Sequence, residues 1–447
     1  MSNTSIDLNI QQKIAFDSVK DGNNILITGP AGTGKSLLIQ HIVQWCKDNN
    51  REVAITAITG VAAANIDGTT LHSWASIGLG KNNASKHAYY VKKSTGSLTK
   101  YLETDVLIVD EISMIDFAYL QKVNEVAKIL RKSRLPFGGI QLIFTGDFFQ
   151  LGPVNVEKYV FEDKIWDELI DTCIHLTKIY RQKSTEFVNL LYRLRTNTLN
   201  DEDVSMIQAT QLKTLKNDLG IIPTILFCRN IDVDSMNKRE LSKLKDSEYV
   251  CFDSTDDFKD EDNKRIYENS FTFVKKLELK VGAQVMLIKN LDTSEKLVNG
   301  SRGIIKEILG NKSVVVQFLN GLEKVIVEEV QQFKDDAKGH DSEIFASRKQ
   351  LPLKLAYALT IHKSQGLSID YLHVDLRGCF ASGQAYVAMS RATSFDTIKV
   401  TNFTPKCVIV SERVLNFYKE IDEGKYSKKR KRQGENAIQT YFIKKNK

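Results

Sequence analysis

One stretch near the start of the chain limits what it can become. Residues 24–47 read NILITGPAGTGKSLLIQHIVQWCK. Ile25, Leu26 and Ile27 form an apolar run suited to a buried strand, which Thr28 ends. The next eight residues, GPAGTGKS, fit G-x-x-x-x-G-K-[ST]. The loop Gly29, Pro30, Ala31, Gly32, Thr33, Gly34 turns inward, because its glycines accept backbone conformations closed to other residues. Its N–H groups then converge into a nest for phosphate oxygens. Leu37, Leu38, Ile42 and Trp45 recur at helical spacing, so a helix starts at the loop and adds its positive end to the anion site. Lys35 reaches the β/γ-phosphates and the Ser36 hydroxyl suits Mg²⁺. A plain glycine-rich turn has no reason to bring strand, loop, lysine, hydroxyl and helix in this order. The stretch predicts a nucleoside-triphosphate site.

With 447 residues the chain exceeds one hydrophobic core and predicts two to four domains. No apolar run approaches the roughly 18 residues that cross a bilayer, so no membrane partner is expected. MSNTSIDLN lacks the basic-then-apolar order of a leader. The six cysteines are scattered, with no C-x-x-C pair, and predict reduced thiols in a protein that is not secreted. The net charge of +7 is unevenly placed: residues 424–447 sum to +8, which leaves about −1 for the body. The body therefore needs local grooves to hold a polyanion.

Along the chain, Ile10–Val19 reads as a helix whose Gln12 is placed to meet an adenine edge. A strand at 53–58 runs into TGVAAANIDGTTLHSWASIGLG (59–80). Residues 81–101, polar, basic and with three tyrosines, read either as a solvated insertion or as a nucleic-acid contact through stacking. VLIVDE (106–111) is a strand ending in two acids, Asp110 for a Mg²⁺ shell and Glu111 for the attacking water. A helix over 117–132 precedes the strand IQLIFT, after which Gln150 is a candidate γ-phosphate sensor. CIHLTKIYRQ (173–182) reads as a strand leading into Arg181, and 183–220 as a charged helical connector. Apolar strands resume at 223–228, 353–360, 371–376 and 398–401 without a second phosphate loop. Between them, residues 271–330 carry short β-rich runs and turn signals that indicate an inserted antiparallel barrel. His362, Lys363, Gln365 and Arg391 face the first lobe from the second, a geometry for a nucleotide sandwiched between lobes.

GPAGTGKS, TGVAAANIDGTTLHSWASIGLG, VLIVDEISM, PFGGIQLIFTGDFFQL, KVGAQVMLIKNLD, VNGSRG, HKSQG and GQAYVAMSRAT together resemble the ordered motifs of superfamily 1 helicases of the Pif type (petite integration frequency), relatives of RecD. The resemblance spans roughly residues 8–420. It implies an α/β fold with two RecA-like parallel-sheet lobes, a small inserted β-barrel and a basic tail. Its boundaries would be 1–178 for lobe 1 (insert at about 81–103), 179–270 with 346–423 for lobe 2, 271–345 for an SH3-like barrel and 424–447 for a disordered tail. It further implies ATP- and Mg²⁺-driven 5′→3′ movement on single-stranded DNA, by a monomer. Duplex, forked or folded DNA would be unwound in replication, repair, recombination or telomere maintenance. Gln12 would read adenine, Gln150 sense the γ-phosphate, Arg181 and Arg391 act as arginine fingers, and Gln365 with Gly366 border the nucleotide. Thr59, His72, His362 and Lys363 would line the DNA path. Gly152 departs from the family's usual proline, and the N-terminal domain of larger members is not matched. A translocase that remodels protein–DNA complexes without separating strands would carry the same motifs. An adaptor with a vestigial ATPase is disfavoured by Lys35, Glu111 and Arg391.

In the tail, Lys428–Arg432 suits a nuclear import signal, which fits a nuclear or viral replication compartment and otherwise the cytoplasm. Beyond it, Ile438, Tyr441 and Phe442 resemble the box by which replication proteins dock on the sliding clamp PCNA, with Glu435 where that box usually has Gln.

Overall fold

The computed structural model describes residues 7–153, 158–217, 220–245, 248–259, 264, 267–268, 271–292, 294–295, 297–334 and 344–426. Ile438, Tyr441 and Phe442 of the clamp box, and the basic cluster 428–432, lie outside these.

The first lobe is built on a six-stranded parallel sheet. Its strands lie in the order Thr69–Thr70, Val53–Ala57, Val106–Asp110, Gln141–Gly146, Ile25–Thr28, Thr172–His175. Strict alternation along each strand divides the apolar residues between two faces. Ile25, Ile27, Val106, Ile108 and Ile143 meet the helices Ile10–Lys20 and Lys35–Asp48 on one face. Leu26, Leu107, Val109, Leu142 and Phe144 meet the helices of residues 71–130 on the other. Both faces are covered, as a parallel sheet requires, so its strands read as unbroken apolar runs in the sequence. Thr28, Asp110 and Gly146 all fall at the carboxyl edge, where open α/β sheets bind ligands.

The second lobe carries a four-stranded parallel sheet, ordered Ala358–Thr360, Thr224–Phe227, Leu372–Asp375, Ile398–Thr401. An antiparallel five-stranded sheet joins it: Glu323–Val327, Ser313–Phe318, Arg302–Leu309, Gln284–Leu287, Leu353–Leu355. Strand Gln284–Leu287 is buried throughout and forms the joint. Met286 enters the core of the second lobe, while Val285 and Leu287 enter that of the barrel.

Four expectations are corrected by packing. The barrel module begins before residue 271, because Val250–Asp253 pairs with Lys276–Leu279 and Thr255–Phe258 pairs with Ile344–Gln350. Residues 183–220 are more than a connector: Phe187, Leu190, Leu191 and Leu194, spaced for one helix face, are buried in the second lobe's core. Residues 412–423 do not belong to the second lobe. Val414, Phe417, Tyr418 and Ile421 form an apolar stripe on helix Glu412–Asp422 and enter the first lobe's core, with Phe417 stacked on Phe161 at 4.1 Å. The segment 81–101 is not a solvated insertion. Its helices, Ala84–Lys93 and Thr95–Glu103, bury Ala88, Val91 and Tyr101 beside Phe117–Leu130, and leave Tyr89 and Tyr90 exposed.

Candidate active site

The loop from Gly29 to Gly34 is fixed by close neighbours. Gly32 and Gly34 hold φ near +83° and +82°, and a Cβ on either would fall 2.6 Å from the Arg181 Cβ or 2.7 Å from Gln12 Nε2. Glycine is needed at both positions for conformation and for space. Tyr180 N–H donates to Gly32 O at 2.8 Å, so the segment carrying Arg181 is tied to the loop. Residues 176–182 form no strand in continuation of Thr172–His175; Arg181 stands on a loop instead. Tyr386, on the second lobe's helix Gln384–Met389, accepts the Ala31 N–H at 3.1 Å.

Lys35 and Ser36 open the helix Lys35–Asp48. Lys35 Nζ donates to Gly29 O at 2.7 Å and Pro30 O at 3.0 Å, and so lies folded over its own loop. Burial lowers its pKa, opposed by the charges of Asp147, Glu111 and Asp110. Gln12 is buried: its Nε2 donates to Thr33 O at 3.2 Å and its Oε1 accepts the Asn9 N–H at 3.0 Å. One N–H and one lone pair remain for a base edge.

Asp110 and Glu111 end a central strand and face opposite tasks. Asp110 Oδ1 accepts the Glu111 N–H at 2.9 Å and the Thr145 hydroxyl, which leaves Oδ2 for a cation. Ser36 and Asp110 together fit Mg²⁺, which binds through one or two protein oxygens plus phosphates and water. Among the described residues, no group of three or more His, Cys, Asp or Glu forms a metal cage. Glu111 adopts a left-handed φ of 55°, rare for a side-chain-bearing residue and typical of strained functional positions. Burial and the neighbouring Asp110 charge push its pKa up to about 7, against Lys35, Gln365 and Arg391. From the second lobe, Gln365 Nε2 donates to Glu111 Oε2 at 2.9 Å.

Gln150 is buried with Oε1 unpartnered, and its Nε2 approaches Asp147 Oδ2 at 3.4 Å. Gly383 of the second lobe lies so close that a Cβ would fall 2.7 Å from Gln150 O. A Cβ at Gly152 meets only the Tyr159 ring, at 3.4 Å or beyond, so that turn does not depend on glycine. Arg391 is buried, with Nε on Val387 O at 2.9 Å, and Arg181 Nη1 donates to Ser390 O at 3.2 Å. Burial opposes the charge on both, and Arg391 further opposes that on Arg181. Neither forms an ion pair among the described residues. A cleft of about 820 Å³ is lined by Gln12, Lys35, Ser36, Asp110, Glu111, Gln150, Arg181, Gly366 and Arg391 together.

The proposed DNA-path residues lie apart from this cleft. Thr59 caps helix Gly60–Asn65 through Ala62 N at 3.2 Å, and His72 stacks on Tyr119 at 4.2 Å. Burial lowers the pKa of His72 and of His362. Lys363, in the turn His362–Ser364, is exposed.

The sequence reading missed Arg195 and Tyr418 altogether. Arg195 pairs with Asp147 through Nη2–Oδ1 at 2.9 Å and Nε–Oδ2 at 3.2 Å, and Tyr418 Oη donates to Asp147 Oδ1 at 3.0 Å. Arg195 follows Leu194 on the buried helix face, the only local hint that it points inward.

Two models of one family match the chain: "PIF1-like helicase" over residues 7–205 and "DNA helicase Pif1, 2B domain" over 267–308. The crystal structure of the Pif1 helicase from Candida albicans superposes with a TM-score of 0.80 at 37% identity, covering 93% of this chain and 100% of that one. The chain belongs to the PIF1-like helicase family. Another member, the Pif1 helicase from Bacteroides in complex with ADP-AlF3 and ssDNA, matches with a TM-score of 0.69 at 26% identity, over 94% of this chain and 99% of that one. The ATP-dependent DNA helicase PIF1 of Xenopus laevis is 40% identical over 426 residues, 94% of this chain. The chain spans only 65% of that relative's length.

The Asp147–Arg195 pair generates a prediction. Burial alone would raise the Asp147 pKa, but Arg195, Lys35 and Tyr418 together hold it below the usual carboxylate range. Arg195→Ala leaves that carboxylate buried and unpaired, so urea unfolding at pH 7 should show a loss of about 3–5 kcal/mol. A depressed pKa contributes stability above the unfolded value of about 3.9 and loses it as pH falls through the folded value. Without Arg195, burial raises the Asp147 pKa, so the gap between wild type and variant should narrow as pH falls from that raised value, above about 4, through the depressed wild-type value.

Proposed function

We propose that the chain is an ATP-dependent helicase that moves 5′→3′ on single-stranded DNA and separates duplex or folded DNA. The observation that carries this reading is the pair Arg181 and Arg391. Arg181 stands beside the phosphate loop and Arg391 faces it from the second lobe, and among the described residues neither has an ion-pair partner, an arrangement that an entering anion relieves. The γ-phosphate of ATP is that anion. Family membership, and the relative crystallised with ADP-AlF3 and ssDNA, support the same reading.

In this mechanism the loop N–H groups and Lys35 hold the β- and γ-phosphates, for which Lys35 must leave the Gly29 and Pro30 carbonyls. Ser36 and Asp110 would hold Mg²⁺, which when bound would neutralise phosphate charge. Glu111, with a pKa near neutrality, orients the attacking water and accepts its proton. Arg181 and Arg391 stabilise charge that develops in the transition state, an effect worth roughly 10³–10⁵ in rate. Because Arg391 and Tyr386 belong to the second lobe and the loop to the first, nucleotide binding and release change the lobe spacing. Thr59, His72, His362 and Lys363 would couple that change to a DNA strand.

The deciding experiment compares duplexes with a 5′ or a 3′ single-stranded tail in an ATP-driven strand-displacement assay. The 5′-tailed substrate should be unwound in preference, and Lys35→Ala should displace neither while still binding DNA. Unwinding from 3′ tails alone, or none with intact DNA-stimulated ATPase, would contradict the proposal.

The tail supports a second contact, with a sliding clamp, in a nuclear or viral replication compartment. A peptide of residues 428–447 should bind PCNA with micromolar affinity, and Tyr441→Ala with Phe442→Ala should remove the binding. Equal binding by both peptides would reduce the attraction to charge.

A further inference from the structure

A hydrogen bond links the inserted barrel to the first lobe beside the catalytic acid. Asn299 Nδ2, in a barrel loop, donates to Asn65 Oδ1 at 2.8 Å. Asn65 is the last residue of helix Gly60–Asn65 in the first lobe. The loop itself is anchored elsewhere: Asn299 N–H donates to Asn290 Oδ1 at 2.9 Å, and a Cβ on Gly300 would lie 3.5 Å from Leu367 Cδ2 of the second lobe. The contact with Asn65 therefore spans two bodies.

Asn65 also touches the segment that reaches Glu111. Gly366 holds φ near +83°, and a Cβ on it would fall 2.6 Å from Asn65 Nδ2. The preceding residue is Gln365, whose Nε2 donates to Glu111 Oε2 at 2.9 Å. The Gln365 amide is held in this pose at a cost, since its Oε1 is buried without a partner. An amide with an unsatisfied oxygen turns away when its backbone is released. While it stays, it competes with the attacking water for Glu111 Oε2 and lowers the basicity of the carboxylate.

Next to this chain of contacts is a gap of about 220 Å³ between the same two bodies. Gly60, Ala63 and Thr70 line it from the first lobe, and Thr272, Phe273 and Gln331 from the barrel module. A nucleic-acid strand that entered this gap would push the barrel away from helix Gly60–Asn65.

We propose that the Asn299–Asn65 contact is a clasp that keeps Gln365 on Glu111 and restrains ATP hydrolysis until a DNA strand separates the barrel from the first lobe. The proposal rests on the helicase reading above and names the regulation of that same site. Asn65 and Asn299 are positioning residues: they act through Gly366 and Gln365, and neither performs chemistry.

The test measures steady-state ATP turnover of the full chain, with and without a saturating single-stranded oligonucleotide, for wild type, Asn299→Ala, Asn65→Ala and the double variant. One ordinary hydrogen bond shifts an equilibrium by about two- to tenfold. Each single variant should therefore raise DNA-free kcat about two- to tenfold with KM for ATP unchanged. DNA-saturated kcat should stay within about twofold of wild type. The double variant should match Asn65→Ala, because that change already breaks the contact that Asn299→Ala breaks. A variant that merely damages the fold lowers both rates and the melting temperature, and that outcome overturns the clasp. So does a DNA-free rate that stays at the wild-type level, or single effects that multiply. Wild type with no DNA stimulation at all overturns the helicase reading, and the clasp with it.

Discussion

The buried ion pair between Asp147 and Arg195 is the contact on which the cleft depends. Asp147 follows the central strand Gln141–Gly146, Arg195 comes from a helix in the second lobe's core, and Tyr418 joins them from the helix that returns to the first lobe. Three distant parts of the chain meet at one carboxylate. A pair this deeply buried gives little net stability by itself, but removing one partner strands the other charge. The lobes are thereby joined at one carboxylate, and Gln365 and Tyr386 of the second lobe each add a hydrogen bond to the first.

Electrostatics divides the same cleft by sign. Burial raises the pKa of both Asp110 and Glu111, and the Asp110 charge raises that of Glu111 further. Arg391, from the second lobe, opposes the charge on Arg181, which stands beside the phosphate loop. Each pair is unfavourable on its own in a dry site. A magnesium nucleotide, if bound, would supply a cation for the acids and phosphate for the arginines, and so would relieve both repulsions. Hydrolysis and phosphate loss would restore them.

Much of this was legible in the sequence, for physical reasons. A phosphate loop must follow a buried strand and open a helix, and acids that meet its ligand must end a neighbouring strand; these are local constraints on Gly29–Ser36 and on Asp110–Glu111. The buried strands of both lobes showed as apolar runs because helices cover both faces. What failed was long-range. Nothing near Arg195 names Asp147, 48 residues away, as its partner. Helix Glu412–Asp422 shows its apolar stripe plainly, yet the stripe says nothing of which lobe receives it. The barrel's first strands, Val250–Asp253 and Thr255–Phe258, are short and half exposed, with charged residues on their outer faces. Pairing alone defines them. Residues 81–101 looked solvated because their exposed faces dominate the composition, while a few small or aromatic residues bury the other side.

The central claim is that hydrolysis requires an arginine, Arg391, delivered across the cleft from the second lobe. Its most direct test separates nucleotide binding from turnover in Arg391→Ala. Equilibrium binding of ATP should change by less than about tenfold, while DNA-stimulated kcat falls by about 10³ or more, because the side chain meets charge that exists only in the transition state. If ATP affinity falls and kcat at saturating ATP stays at the wild-type value, Arg391 only binds, and the account of a cleft that closes to catalyse is wrong.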